Sequence, residues 1–218
     1  MRIVRGSDPG PVTKYGDYKL HLQELFRFRC AYCISHEAWM GGFDAMEVDH
    51  FRPWSRPEFQ HRKKDWTNLY YACRRCNLHK SNRWPTEEEE SRGFRFVDPC
   101  EDDPDDHLRI ARDPGADDLC WLHALTPAGR YTIDKIRLNR KQLIDIRREL
   151  ARQEREAQED LNRNHQQIER LANDLEERGS TPNLEAVLRS LEEEQQRILR
   201  RAEELRSRRP FPPEGAAA

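Results

Sequence analysis

Cys30-Ala31-Tyr32-Cys33 and Cys73-Arg74-Arg75-Cys76-Asn77-Leu78-His79-Lys80 frame the stretch that decides the fold. Between them lie Glu47-Val48-Asp49-His50-Phe51-Arg52-Pro53 and Trp66-Thr67-Asn68-Leu69. The two Cys-x-x-C pairs are 39 residues apart. Two pairs of equal short spacing deliver four thiolates two at a time, which is what a tetrahedral all-cysteine zinc site needs. The competing reading, ordinary buried thiols or a redox pair, is disfavoured by the matched spacing. Cys30, Cys33, Cys73 and Cys76 are therefore expected to hold a structural Zn2+, since a small core gains folding free energy from a metal. Cys100 and Cys120 have no partner at such spacing and read as buried thiols.

Working outward, the composition explains why a metal is useful. Hydrophobic and charged residues each make up 36% of the 218 residues and the mean hydropathy is −1.06, which predicts a small core with solvated extensions. The net charge of −2 excludes a uniformly basic nucleic-acid binder. It is, however, a cancellation. From Phe51 to Trp84 nine Lys/Arg face Glu58 and Asp65, a local net of +7. From Pro85 to Asp106 ten acids face Arg92 and Arg95, a net of −8. No apolar run approaches the roughly 18 residues of a membrane span, and Met1-Arg2-Ile3-Val4-Arg5 lacks a signal-peptide core. The expected location is the cytoplasm, with no membrane partner. In that reducing compartment paired cysteines bind metal rather than cross-link.

The local patterns set the elements. Tyr18, Leu22, Leu25 and Phe26 recur at helical spacing between Lys14 and Phe28, a helix leading into Cys30. Met46–His50 and Leu69–Ala72 read as short strands, residues 51–67 as a loop with prolines, and Arg74–Ser81 as a short helix. Glu87–Glu90 reads as a solvated helix start. Thr132 is expected to cap a helix running from Ile133 to about Glu177. Leu143, Leu150, Ala157 and Leu171 share one seven-residue register, and Leu161, Ile168 and Leu175 its companion. Gly179-Ser180-Thr181-Pro182 stops that helix and starts another, in which Leu184, Leu191, Ile198 and Leu205 again recur every seven residues. A short turn between two such helices predicts an antiparallel hairpin. The expected division is a domain over residues 1–131, a coiled-coil-like hairpin over 132–208 and a disordered tail over 209–218.

Asp49-His50 alone is a weak signal, because strand neighbours point to opposite faces. Its company of Asn68, Asn77 and Lys80 strengthens it. The order Cys-x-x-C, Asp-His, Asn-Leu, Cys-x-x-C-Asn-x-x-Lys, over about residues 26–84, resembles the HNH endonucleases of the ββα-metal fold, in their four-cysteine subgroup. The resemblance implies a small ββα-metal core, and with the long helical hairpin that follows, the expected fold class is α+β, mostly α overall. It implies a metal-dependent hydrolase of DNA phosphodiester bonds. His50 would be the general base, Asn68 would orient it and brace the loop, and Asp49 with Asn77 would hold the catalytic ion. Many members carry His where this chain has Asn77. A carboxylate plus an amide oxygen suits a hard ion, so Mg2+ is expected, with Mn2+ substituting. The expected products are 5′-phosphate and 3′-hydroxyl ends.

Arg52, Arg74, Arg75 and Lys80 are the expected phosphate contacts, being nearest in sequence to the catalytic positions. His79 stays open between a phosphate contact, a spare ligand and a solvated position. Phe51, Trp54, Trp66, Tyr70 and Tyr71 read as packing around the cysteines more than as base-stacking platforms. Val97-Asp98-Pro99-Cys100 and Leu138-Asn139-Arg140 resemble elements of bacterial HNH proteins, many associated with phage defence. Two alternatives follow: a nuclease subunit docked to a partner protein, or self-associated, through residues 132–208, and a non-catalytic zinc module that only binds nucleic acid or protein.

Overall fold

A computed structural model describes residues 2–110, 120–179 and 181–207. The tail expected over 209–218 lies outside the described residues. Two compact units are present, one ending at Ile146 and the other running from Arg147.

The first unit is built on a ββα element. Strands β1 (Met46–His50) and β2 (Leu69–Cys73) pair antiparallel, in a register that sets Met46 opposite Cys73 and His50 opposite Leu69. β2 is buried along its whole length and runs without a break into helix α2 (Arg74–Lys80). The turn into α2 thus fixes where Asn77 and Lys80 stand relative to Asp49 and His50. Helix α1 (Lys19–Leu25) covers the pair with Leu22, and Phe26 beyond it packs on Tyr70 at 5.5 Å between ring centroids. Tyr70 also stacks on Phe51 at 4.9 Å, and Phe51 meets Trp84 edge-on at 5.7 Å. Phe51, Trp66, Tyr70 and Tyr71 are all buried, so these aromatics are core; Trp54 stays partly exposed.

The acidic stretch opens on helix α3 (Glu87–Ser91). Thr86 caps it and the Glu89 carboxylate accepts from the Thr86 N–H, a capping box that places four glutamates at the favourable end of the helix dipole. Asp98 is drawn inward, its Oδ1 accepting from the Tyr70 hydroxyl at 2.6 Å and from the Cys100 N–H at 2.9 Å. Strands β3 (Leu108–Ile110) and β4 (Leu122–Ala124) form a second antiparallel pair.

The helix expected to begin at Ile133 begins earlier, and it is interrupted. Helix α4 spans Pro127–Ile136, with Thr126 as its cap and Pro127 in the first turn. Thr132 lies inside it. Its hydroxyl donates to Ala128 O and accepts from Val97 N, joining the helix to the segment after α3. α4 passes so close to the chain at His107 that a Cβ on Gly129 would stand 2.1 Å from the His107 carbonyl oxygen. Arg137 then takes the left-handed conformation (φ 55°) and ends α4. A new helix, α5 (Lys141–Arg178), starts four residues later. In the junction Leu138 is fully buried, and the Asn139 side chain bonds both backbone groups of Leu122 on β4 at 2.8 and 2.9 Å.

The second unit is helical. α5 continues to Arg178, Gly179 supplies the positive φ (81°), and α6 (Pro182–Ser207) follows. Asn164 Nδ2 donates to Leu191 O at 3.1 Å, so α6 returns along α5 as the expected hairpin. Asn164 occupies the Leu143–Leu150–Ala157 register and is buried like Ala157. A single polar residue in an apolar seam fixes register at some cost in stability. No helix among the described residues is long and apolar enough to cross a membrane.

Candidate active site

The cysteine pairs come together first. Ala31 N–H donates to Tyr71 O at 2.8 Å, tying the first pair to β2, and Ile34 N–H closes the knuckle on Cys30 O at 2.9 Å. Ile34 accepts a left-handed φ of 57° to do so, an uncommon state for a β-branched residue. The donor atoms of Cys30, Cys33, Cys73 and Cys76 lie within 4.8 Å of one another, and all four residues are buried. Cys33 collects hydrogen bonds from the other three and is held well below the usual thiol range. Cys100 and Cys120 are buried elsewhere, and burial pushes the Cys100 thiol up to about 11.

Residues of β1, the loop after it and α2 line a solvent-facing cleft of about 590 Å³. Glu47, Asp49, His50, Arg74 and Asn77 line it, with Tyr15 and Trp54 at its edge. His50 is nearly buried, packed edge-on by Tyr15 at 4.7 Å. Its Nε2 lies 2.8 Å from Lys63 O. A carbonyl can only accept, so Nε2 carries the proton and Nδ1 keeps a free lone pair. Burial is the main cause that holds the imidazole below its ordinary pKa of 6.5, which favours the neutral base.

The Asn68 side chain bonds to loop backbone. Its Oδ1 accepts from Arg52 N at 2.8 Å, and its Nδ2 donates to Arg52 O at 3.0 Å and Arg62 O at 3.4 Å. It closes the base of the 51–68 loop, whose Lys63 carbonyl holds the histidine. Asn68 is thus linked to the histidine through loop backbone.

Asp49 is held from two sides. The Tyr32 hydroxyl donates to its Oδ2, and Lys80 Nζ stands 3.0 Å from the same oxygen. Lys80 Nζ also donates to His50 O at 2.6 Å. This corrects the expectation that Lys80 meets phosphate: its side chain is 0% exposed and its ammonium is already committed. Tyr32 is raised well above the usual phenol range, first by burial and then by the Asp49 charge.

Asn77 donates from Nδ2 to Glu47 Oε2 at 2.7 Å, and Arg74 Nε approaches the other carboxylate oxygen at 3.5 Å. With its N–H directed to Glu47, the Asn77 amide leaves Oδ1 as its available donor atom. Sequence reasoning missed Glu47. The available signal was its place two residues before Asp49 on a strand, hence on the same face.

The expected phosphate contacts separate. Arg74 lines the cleft and Arg75 is exposed on α2. Arg52 lies over the Trp84 ring at 5.5 Å, and Lys63 over Trp54 at 3.9 Å. His79 is half-buried, and burial together with Arg140, Arg137, Arg83 and Arg75 lowers its pKa. The described ion pairs of the acidic stretch run to Arg95, His107 and Lys135.

The donor sets differ in how far they are assembled. Among the described residues only the four cysteines bring three or more His, Cys, Asp or Glu donors together. The cleft offers Asp49, the Asn77 amide and nearby Glu47, an oxygen set of low charge. That fits a hard ion completed by water and substrate phosphate, as Mg2+ sites commonly are.

Residues 30–83 match the family described as HNH endonuclease. The chain is 28% identical over 166 residues to Septu protein PtuB of Bacillus mycoides (strain KBAB4); the match covers 65% of this chain. The chain spans about half the length of that relative, 54% of which is covered. No solved structure matches. The matched interval opens at the first ligand-type cysteine and closes just beyond α2, so it encloses the cysteine cluster, the cleft residues His50 and Asn77, and the buried Asn68. Residues 30–83 are thus similar to an HNH endonuclease domain.

Proposed function

We propose that the chain hydrolyses DNA phosphodiester bonds at this cleft, using a hard divalent ion, Mg2+ or Mn2+, while a structural Zn2+ sits on the four cysteines. The observation that carries the reading is the 2.8 Å contact of His50 Nε2 with Lys63 O, which assigns the proton to Nε2 and leaves the Nδ1 lone pair as the base of a residue that lines the cleft. Asp49 and Asn77 Oδ1 would hold the ion, which when bound polarises the scissile phosphate and stabilises the leaving 3′ oxygen. His50 Nδ1 takes the proton of the attacking water, and the Lys63 carbonyl steadies the imidazolium that results. Asn68 keeps that carbonyl in place through the loop. Lys80 holds the Asp49 carboxylate and the His50 main chain in one geometry. Arg74, at the cleft, and Arg75, exposed beside it on α2, meet the flanking phosphates. Attack from this side yields 5′-phosphate and 3′-hydroxyl ends. Plasmid nicked by the protein with Mg2+ should therefore be resealed by a DNA ligase without prior end repair. Nicks that ligase cannot close would contradict the mechanism.

A second reading concerns setting. The likeness to Septu protein PtuB extends over 166 residues, well beyond the 30–83 interval. This supports a nuclease subunit of a multi-protein anti-phage defence system, and the docking surface we assign to it is the helical hairpin. Co-expression with a candidate partner, comparing full chain with a hairpin surface variant such as Val187→Glu, tests it: unchanged co-purification would remove the hairpin from the interface.

A further inference from the structure

Arg140 stands in the junction between α4 and α5, more than sixty residues from the second cysteine pair. Its Nη2 nevertheless lies 3.3 Å from Cys76 Sγ and 3.9 Å from Cys73 Sγ. The rest of its guanidinium has poor partners. Nη1 reaches only the carbonyls of its own turn, Ile136 O at 3.4 Å and Arg137 O at 3.3 Å, and Nε is buried without any. No carboxylate of the described residues forms an ion pair with it.

We infer that Arg140 is the guanidinium partner of the metal-bound thiolates: it raises the metal affinity of the cysteine centre and ties the α4–α5 junction to it. The inference rests on reading the four cysteines as a metal centre. Four thiolates around a divalent ion carry a net charge of −2 in a buried place. A half-buried guanidinium without a carboxylate is costly beside neutral thiols but well compensated beside that charge. Loading of the centre and seating of Arg140 should therefore stabilise each other. The neighbours of Arg140 make the seat consequential: Leu138 is fully buried and Asn139 clamps β4. The three consecutive residues Leu138-Asn139-Arg140 thus connect core, second sheet and cysteine centre.

The test uses the full chain, Arg140→Gln and Arg140→Lys, with zinc alone as the probe in competition with a chromogenic chelator. Losing an outer partner of metal ligands typically lowers affinity about 10- to 100-fold, and that loss is expected for Arg140→Gln. Arg140→Lys should fall between, since it keeps the charge but not the planar fork. With cobalt(II) in place of zinc, the sulfur-to-metal charge-transfer band should shift in Arg140→Gln, which a purely structural role would not produce. If Arg140→Gln does not fold, Arg140→Lys carries both readouts. Wild-type zinc affinity and an unshifted cobalt band in the variants would overturn the inference while leaving the metal centre standing. A wild-type chain that takes up no zinc would overturn both.

Discussion

Replacing Lys80 by Met removes a charge from the interior while keeping most of the side-chain volume. Lys80 is fully buried, and its ammonium stands 3.0 Å from Asp49 Oδ2 and 2.6 Å from His50 O. At an effective dielectric of 20, unit charges 3.0 Å apart attract by about 5.5 kcal/mol. Desolvating the two ions costs several kcal/mol each, so the intact pair contributes little net stability. Losing one partner is another matter. The Asp49 carboxylate would be left with only the Tyr32 hydroxyl, and His50 O would lose its donor, for a cost of about 3–5 kcal/mol. Solvent does not screen this pair, unlike surface pairs worth under about 1 kcal/mol. All five tryptophans (39, 54, 66, 84 and 121) precede Ile146, so their fluorescence reports the first unit alone. Urea unfolding of zinc-saturated protein followed by that signal should show Lys80→Met destabilised by about 3–5 kcal/mol. The double variant Asp49→Asn/Lys80→Met should recover a large part of this, because no buried charge is left unpaired. A single-variant loss under about 1 kcal/mol, the value of an exposed pair, would refute the buried-pair account and return Lys80 to the surface.

Further outcomes follow from other residues. Burial lowers the His50 pKa from 6.5, so the imidazole stays neutral as pH falls until it passes below that value; the cleavage rate should be flat around neutrality and drop along a single acid limb below about 6.5. A limb centred above that value would contradict the assignment. Glu47→Ala frees the Asn77 amide to turn, and should raise the Mg2+ concentration for half-maximal cleavage by about tenfold, as for other supports of metal ligands. Gly129→Ala forces a Cβ against the His107 carbonyl, and a loss of about 1–3 kcal/mol is expected in the same urea assay. An unchanged midpoint would mean that α4 can move away at little cost.

Much of the core was legible because its signals are local and redundant. The Cys-x-x-C pairs, the short strands and α2 are all specified within a few residues, and the resemblance ordered them correctly. Position along the chain proved a poor guide to what is exposed. Lys80 sits in the last turn of a seven-residue helix rich in basic residues, and nothing in that pattern tells a phosphate contact from a buried counter-ion. Burial there is decided by Asp49 and His50 on β1, about thirty residues away, a distance no local window contains. Glu47 was hidden for a different reason: its role depends on which amide it faces across the ββα element. The helix boundary near residue 132 misled because Thr132 is a good cap by type, yet Thr126-Pro127 forms a better start and Thr132 is used to hold Val97. Leu138-Asn139-Arg140 stood out only by resemblance; that Arg140 meets the sulfurs of a distant knuckle is written in no local pattern.

The central claim is tested most directly by a nicking time course on supercoiled plasmid with Mg2+, comparing the wild-type chain with His50→Ala at equal zinc content. The account predicts that the wild type nicks, that His50→Ala does not, and that chelating Mg2+ stops the wild type. Equal nicking by both proteins, or none by the zinc-loaded wild type, would contradict it.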